Sequence, residues 1–203
     1  SKDDQLQSTV TDVQDAFVQY FSSIFGNENN FVPSLEEIPT DILPKITESD
    51  YSYLCSEVSS DEVEEAMFSL NSNSCGGPDG LNAKFYTCCW SIVSNDVINA
   101  IKLFFKKSKL FRSFNYTNIA LIPKKHNAHH VSEFRPISCC NAIYKCISKI
   151  IASRLKHVLP SLVSSNQAAF LPGRNILDNI LLAHELLKGY NRKTSSPKAM
   201  IKL

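Results

Sequence analysis

Three groups of residues in the C-terminal half have the types and spacing to act on phosphate-bearing ligands. The first is Lys124, Lys125 and Arg135. Asn118–Pro123 (NIALIP) is short, apolar and β-branched, and reads as a strand. Phe134–Ser138 (FRPIS) reads as a second extended segment, because Arg135 precedes Pro136 and is biased away from the helical region. Two strands joined by a polar loop bring an ammonium close to a guanidinium. A compact point charge beside a planar fork suits phosphate oxygens. Taken on spacing alone, solvated loop lysines and an arginine tied to a core carboxylate are the plainer reading. The second group is Gln167, Phe170, Gly173 and Arg174 in QAAFLPGR. Glycine permits close backbone approach, and arginine with a nearby aromatic ring can grip a strand by phosphate contact and stacking. The same run also suits a loop joining two helices. The third group is Lys145, Lys149, Arg154 and Lys156, set between apolar residues at helical spacing. They either track a nucleic-acid backbone or form a solvated face.

Carboxylates are scarce where these cations are dense. The last 103 residues hold only Glu133, Asp178 and Glu185, with no adjacent Asp-Asp, whereas two-metal phosphoryl transfer needs converging carboxylates. Asp3-Asp4 lies at the N-terminus, far along the chain from the basic region. His126, His129 and His130 lack the second arm of a zinc signature and read as a polar loop. Seven cysteines without a C-x-x-C pair suggest reduced thiols. No phosphate-binding glycine loop, nucleophile elbow or paired-histidine helix occurs. These residues alone build no catalytic centre.

The charge is split along the chain. Residues 1–100 hold three basic and seventeen acidic side chains, and residues 101–203 hold eighteen and three, although the net charge is only +1. Such polarity points to a polyanion at one end, or to two halves that neutralise each other. With 203 residues and 43% hydrophobic content the chain can build one ordinary domain or two small ones, which excludes a disordered tail. No stretch approaches the roughly 18 apolar residues of a membrane span, and no export signal is expected.

Several helices must position these groups. Val10, Val13, Phe17, Phe21 and Ile24 predict an amphipathic helix over 10–25, closed by Gly26. Asn27 to about Asp50, with Pro33, Pro39 and Pro44, predicts an irregular linker. Ser59 with Glu62 predicts a reciprocal cap for a helix running to Leu70. Gly76-Gly77-Pro78-Asp79-Gly80 predicts a tight turn. One helix is expected through Phe85 and Val93, and another from Asn95-Asp96 to Lys109. A helix over 141–159 is expected to stop before Pro160. Ala168–Leu171 is expected to be extended, a helix to open near Asn175, and Ala199–Leu203 to be a strand.

In chain order, GGPDGLNAKFY (76–86), NIALIPKK (118–125), FRPISCCNAIYKCISKIIASRLK (134–156), SSNQAAFLPGRNILDNILLAHE (164–185) and AMIKL (199–203) resemble the reverse transcriptases of LINE-type (non-LTR) retrotransposons, the plant ones most closely. The family usually has lysine and proline where Ser74 and Gly76 stand, which predicts a looser turn here. The resemblance implies an α-rich α/β fold: the fingers subdomain of a right-hand polymerase with the first palm strand, truncated. Residues 1–50 would be a linker or N-terminal helical extension, and 51–203 the fingers and start of the palm.

By the same resemblance, Lys124 and Arg135 reach the triphosphate of the incoming nucleotide. Lys125, Gln167, Phe170, Gly173 and Arg174 contact the template or grip nucleic acid. The implied partners are an RNA template, a DNA primer and deoxynucleoside triphosphates, with no membrane and with action in the nucleus or cytoplasm. Magnesium is the implied cofactor of the whole enzyme. Its aspartates are expected beyond Leu203, which makes the stretch itself inactive. Two other readings share these residues: a non-catalytic nucleic-acid-binding module and a degenerate retrotransposon remnant.

Overall fold

The computed structural model describes residues 9–26, 45–164, 166–168, 171 and 173–188. Phe170, most of the predicted linker and the AMIKL segment lie outside them. The described elements are mostly helical with one two-stranded sheet. The chain divides into two compact units, one of Ser1–Ile42 with Glu57–Ile150 and one of Leu43–Ser56 with Ile151–Leu203.

In the first unit, α1 (Val10–Phe25) opens with a reciprocal cap between Thr9 and Asp12 and closes at Gly26. α3 (Ser60–Phe68) follows α2 (Glu48–Cys55), and the Ser59 hydroxyl accepts from the Glu62 N–H at 3.0 Å. The helical pair after the turn breaks at Cys89, not at Asn95 as expected, giving α4 (Ala83–Cys88) and α5 (Trp90–Lys107). The Cys89 N–H still closes the turn onto Phe85 C=O, and no side chain caps the new start. Apolar periodicity continued across the break, so the pattern could not locate it.

α6 (Arg112–Asn115) leads into β1 (Thr117–Pro123), which pairs antiparallel with β2 (Phe134–Cys140) after a single 3-10 turn over Val131–Glu133. Ile122 faces Arg135 and Leu121 faces Pro136 in this register. The Lys124 N–H donates to Glu133 C=O at 2.7 Å, which fixes the parity of the ladder. Pro123 and Pro136 therefore fall in the pairs whose N–H groups would point away from the partner strand, and the ladder loses no bond to them.

The core of this unit is made by α3, α4, α5 and the first half of α7 (Ala142–Leu162). Val63, Met67, Ile101 and Ile150 are fully buried there. Cys146 is buried among them, and burial pushes its thiol up to about 12, so it is packing material and not a nucleophile. α1 reaches this unit through Phe17, whose ring meets Phe134 edge-on at 5.1 Å.

The turn before α4 is tight, as its glycines, proline and aspartate predict. The Gly80 N–H bonds Gly77 C=O at 3.0 Å, the Leu81 N–H bonds Asp79 Oδ1 at 3.0 Å, and Gly80 takes φ +73°. Gly77 lies directly against Asn141, just before α7: a Cβ there would fall 2.1 Å from Asn141 Oδ1 and 2.5 Å from its backbone nitrogen. Asn141 is buried and donates through Nδ2 to Ser113 C=O at 3.1 Å. Four residues on, Lys145 Nζ donates to Cys75 C=O at 2.8 Å. The helix start thus holds both ends of this region.

In the second unit, the remainder of α7 carries α2 and then α8 (Ile176–Leu187). α7 runs through Pro160 to Leu162, beyond its expected stop. α2 was not expected within the linker. Its signal was Thr47, whose hydroxyl accepts from the Asp50 N–H at 3.1 Å. Ala168 and Leu171 lie in irregular chain and belong to no strand.

Candidate nucleic-acid interface

The β1–β2 ribbon brings Lys124 and Arg135 together. Arg135 sits opposite Ile122, and Lys124 lies two positions further on, bonded through its N–H to Glu133. Alternation along a strand puts the two on one side as diagonal neighbours, a separation of roughly 7–8 Å between Cα atoms. Arg135 is exposed and its guanidinium holds no hydrogen bond or ion pair among the described residues, so it is not tied to a core carboxylate there. Lys124 spends one of its three donors on Ser132 C=O at 2.6 Å.

Glu133 organises the tip, and the sequence reading gave it no task. Its Oε1 pairs with Lys125 Nζ at 2.5 Å, while Oε2 accepts from the backbone N–H groups of His129 at 2.8 Å and His130 at 3.3 Å. The hydrogen bond from Lys125, then the one from His129, holds the carboxyl down to about 2 from 4.5. Its signal was isolation: it is the one carboxylate between Asp96 and Asp178. Because the folded pKa is depressed, its contribution to tip order is present above about 4.5 and fades as pH falls toward 2. The amide resonances of His129 and His130 should therefore titrate near pH 2, and Glu133→Gln should abolish that titration. A midpoint near 4.5 would show that the carboxylate is not held.

Lys125, expected in a general grip on nucleic acid, is exposed yet engaged by Glu133. Gln167, Gly173 and Arg174 lie in the second unit, in the connection between α7 and α8. Gly173 takes φ +73°, which suits only glycine well. Arg174 is turned toward backbone: Nη1 donates to Ser164 C=O and, at 2.7 Å, to Gln167 C=O, and Nη2 to Val163 C=O at 3.1 Å and Pro160 C=O at 3.5 Å. A cation on the last carbonyls of a helix is favoured by the helix dipole. Arg174 thus serves the carbonyls at the C-terminal end of α7.

The basic helix divides in the same way. Arg154 is buried, and its Nη1 donates to Leu54 C=O at 3.1 Å and Ser56 C=O at 2.7 Å, at the end of α2. Lys145 is committed to Cys75. Neither joins a solvated, strand-tracking face as expected. Carbonyl partners have no sequence signature, so the pattern of charges could not show this.

Among the described residues no three His, Cys, Asp or Glu side chains converge to hold a metal ion. The donor set here does not fit a divalent cation, and no chemical step is derived through one. Among the described residues, too, no helix is long and apolar enough to cross a membrane.

Comparison with known proteins bears on the same segments. Residues 122–203 match the family model described as reverse transcriptase (RNA-dependent DNA polymerase), a match that starts within β1. Over 191 residues the chain is 29% identical to a transposon TX1 uncharacterized 149 kDa protein of Xenopus laevis, which covers 94% of this chain. The chain spans 14% of that relative's length. From residue 122 on, the chain is similar to a reverse transcriptase domain, and over nearly its whole length it is similar to a transposon protein.

Proposed function

We propose that the chain is the fingers portion, with the first palm strand, of the RNA-directed DNA polymerase of a LINE-type, plant-like retrotransposon. Residues 51–203 would form that portion and 1–50 an N-terminal extension. The observation that carries this reading is the exposed guanidinium of Arg135, without a partner among the described residues, in a register that sets it diagonal to Lys124 near the start of the reverse transcriptase match. These two cations receive the triphosphate of the incoming deoxynucleotide. They contribute charge and orientation to phosphoryl transfer, the share that a polymerase's cationic groups supply.

Gln167, Phe170 and Gly173 border the RNA template path, and Arg174 shapes that border from behind through its carbonyl bonds. Lys125 steadies the tip with Glu133. The DNA primer and magnesium are held by other parts of the polymerase.

Arg135→Ala in a polymerase carrying these residues tests the assignment. A hydrogen bond to a charged group contributes about 1.5–3 kcal/mol, so the nucleotide's apparent KM should rise roughly ten- to a hundredfold. Arg135→Lys should recover only part, since an ammonium lacks the planar fork. An unchanged KM in Arg135→Ala rejects the role.

A further inference from the structure

The last turn of α5 and the approach to β1 form a second cationic surface, separate in sequence from the ribbon tip. Lys106, Lys107, Lys109 and Arg112 fall within seven residues, all exposed, and hold no ion pair or hydrogen bond among the described residues. From residue 97 to residue 132 the chain has seven Lys and Arg and no Asp or Glu. Phe111, 60% exposed, stands between Lys109 and Arg112 with its ring meeting Phe114 edge-on, and Tyr116, 57% exposed, lies four residues after Arg112.

The backbone beneath is anchored. Phe104, Phe105, Leu110 and Phe114 pack on the core of the first unit, and Ser113 C=O is held by the buried Asn141. Ser108 ends α5 in the left-handed region, φ +52°, with its N–H on Phe104 C=O at 2.7 Å. Apolar residues thus pin the segment to the core, while the cations and the two rings stay exposed. Solubility alone would call for the cations but not for two exposed rings beside them.

We infer that this surface binds single-stranded nucleic acid, with Lys106, Lys107, Lys109 and Arg112 on successive phosphates and bases stacked on Phe111 and Tyr116. A strand with unstacked bases satisfies both features at once, whereas an acidic protein or a duplex satisfies only the first. The inference rests on these residues and not on the roles of Lys124 and Arg135.

The test is fluorescence anisotropy of the whole chain with a labelled 12-mer oligouridylate across a salt series. Replacing all four cations by alanine should weaken binding at least tenfold and reduce the log–log salt slope by about 0.7 for each phosphate no longer neutralised. Phe111→Ala should weaken binding roughly tenfold with the slope unchanged, as loss of stacking requires. Affinity for heparin, which has no bases, should not respond to Phe111→Ala. An unaltered affinity in the fourfold variant, or an equal loss for heparin in Phe111→Ala, overturns the inference. If the fourfold variant melts early, acetylation of the native chain decides. Protection of Lys106, Lys107 and Lys109 by oligouridylate supports the surface, and equal labelling with and without it refutes it.

Discussion

Gly77→Ala should destabilise the first unit by about 3 kcal/mol or more, at the upper end of what overpacking costs. The new Cβ would sit 2.1 Å from Asn141 Oδ1, 2.5 Å from Asn141 N and 2.7 Å from Asn141 Cα. A flexible side-chain end can swing aside, but two of these atoms are backbone at the start of α7. Asn141 cannot retreat without breaking its bond to Ser113, and Lys145 ties the same turn through Cys75. Against a total stability of about 5–15 kcal/mol such a loss is readily measured as a lower urea midpoint.

Gly80→Ala separates contact from conformation. Nothing lies within 4 Å of its Cβ position, yet φ is +73°, so the cost should be only the left-handed penalty of about 1–2 kcal/mol. If Gly77→Ala costs less than Gly80→Ala, the close approach to Asn141 is not a constraint on folding.

Arg154→Ala should cost about 3 kcal/mol in the second unit. Two hydrogen bonds from a charged donor are lost, each contributing about 1.5–3 kcal/mol, and the carbonyls of Leu54 and Ser56 lose a partner. Hydrogen exchange should report the loss first over α2, where the Tyr53 ring also meets His157 at 5.3 Å. Arg154→Lys should recover part of the loss, because both bonds come from one nitrogen and an ammonium has donors for two carbonyls. Unchanged protection of α2 in Arg154→Ala would show that the helix is held by other contacts.

The sequence was readable where one physical rule governs a segment. Helical periodicity located α1, α7 and α8, a β-branched apolar run located β1, the residue before Pro136 marked β2, and Ser59 and Asn175 mark helix starts by side-chain capping. Where two rules compete, the reading failed. Proline usually stops a helix, but α7 continues through Pro160 to Leu162, and Arg174, fourteen residues after the proline, serves the carbonyls at its end. α2 buries none of its own residues, so it gave no apolar stripe to detect.

The candidate site divides along the same line. Lys124 and Arg135 could be paired from strand alternation and the short loop between them. Arg154 and Arg174 could not be assigned, since a guanidinium bound to carbonyls and one bound to phosphate look alike in a string of letters. Glu133 was visible as an isolated acid, but only the bonds to His129 and His130 show that it orders the tip.

The two prolines of the ribbon have a consequence for self-association. Among the described residues no third strand pairs with the hairpin, and the apolar side chains of Ile119, Ile122 and Ile137 would favour growth by strand addition. Pro123 removes an outward donor from one flank and Pro136 removes one from the other, so a neighbouring copy would find gaps in both rows. Fibril nucleation through this hairpin should be slow for that reason, and restoring the donors with Pro123→Val and Pro136→Val would open both flanks to cross-β stacking.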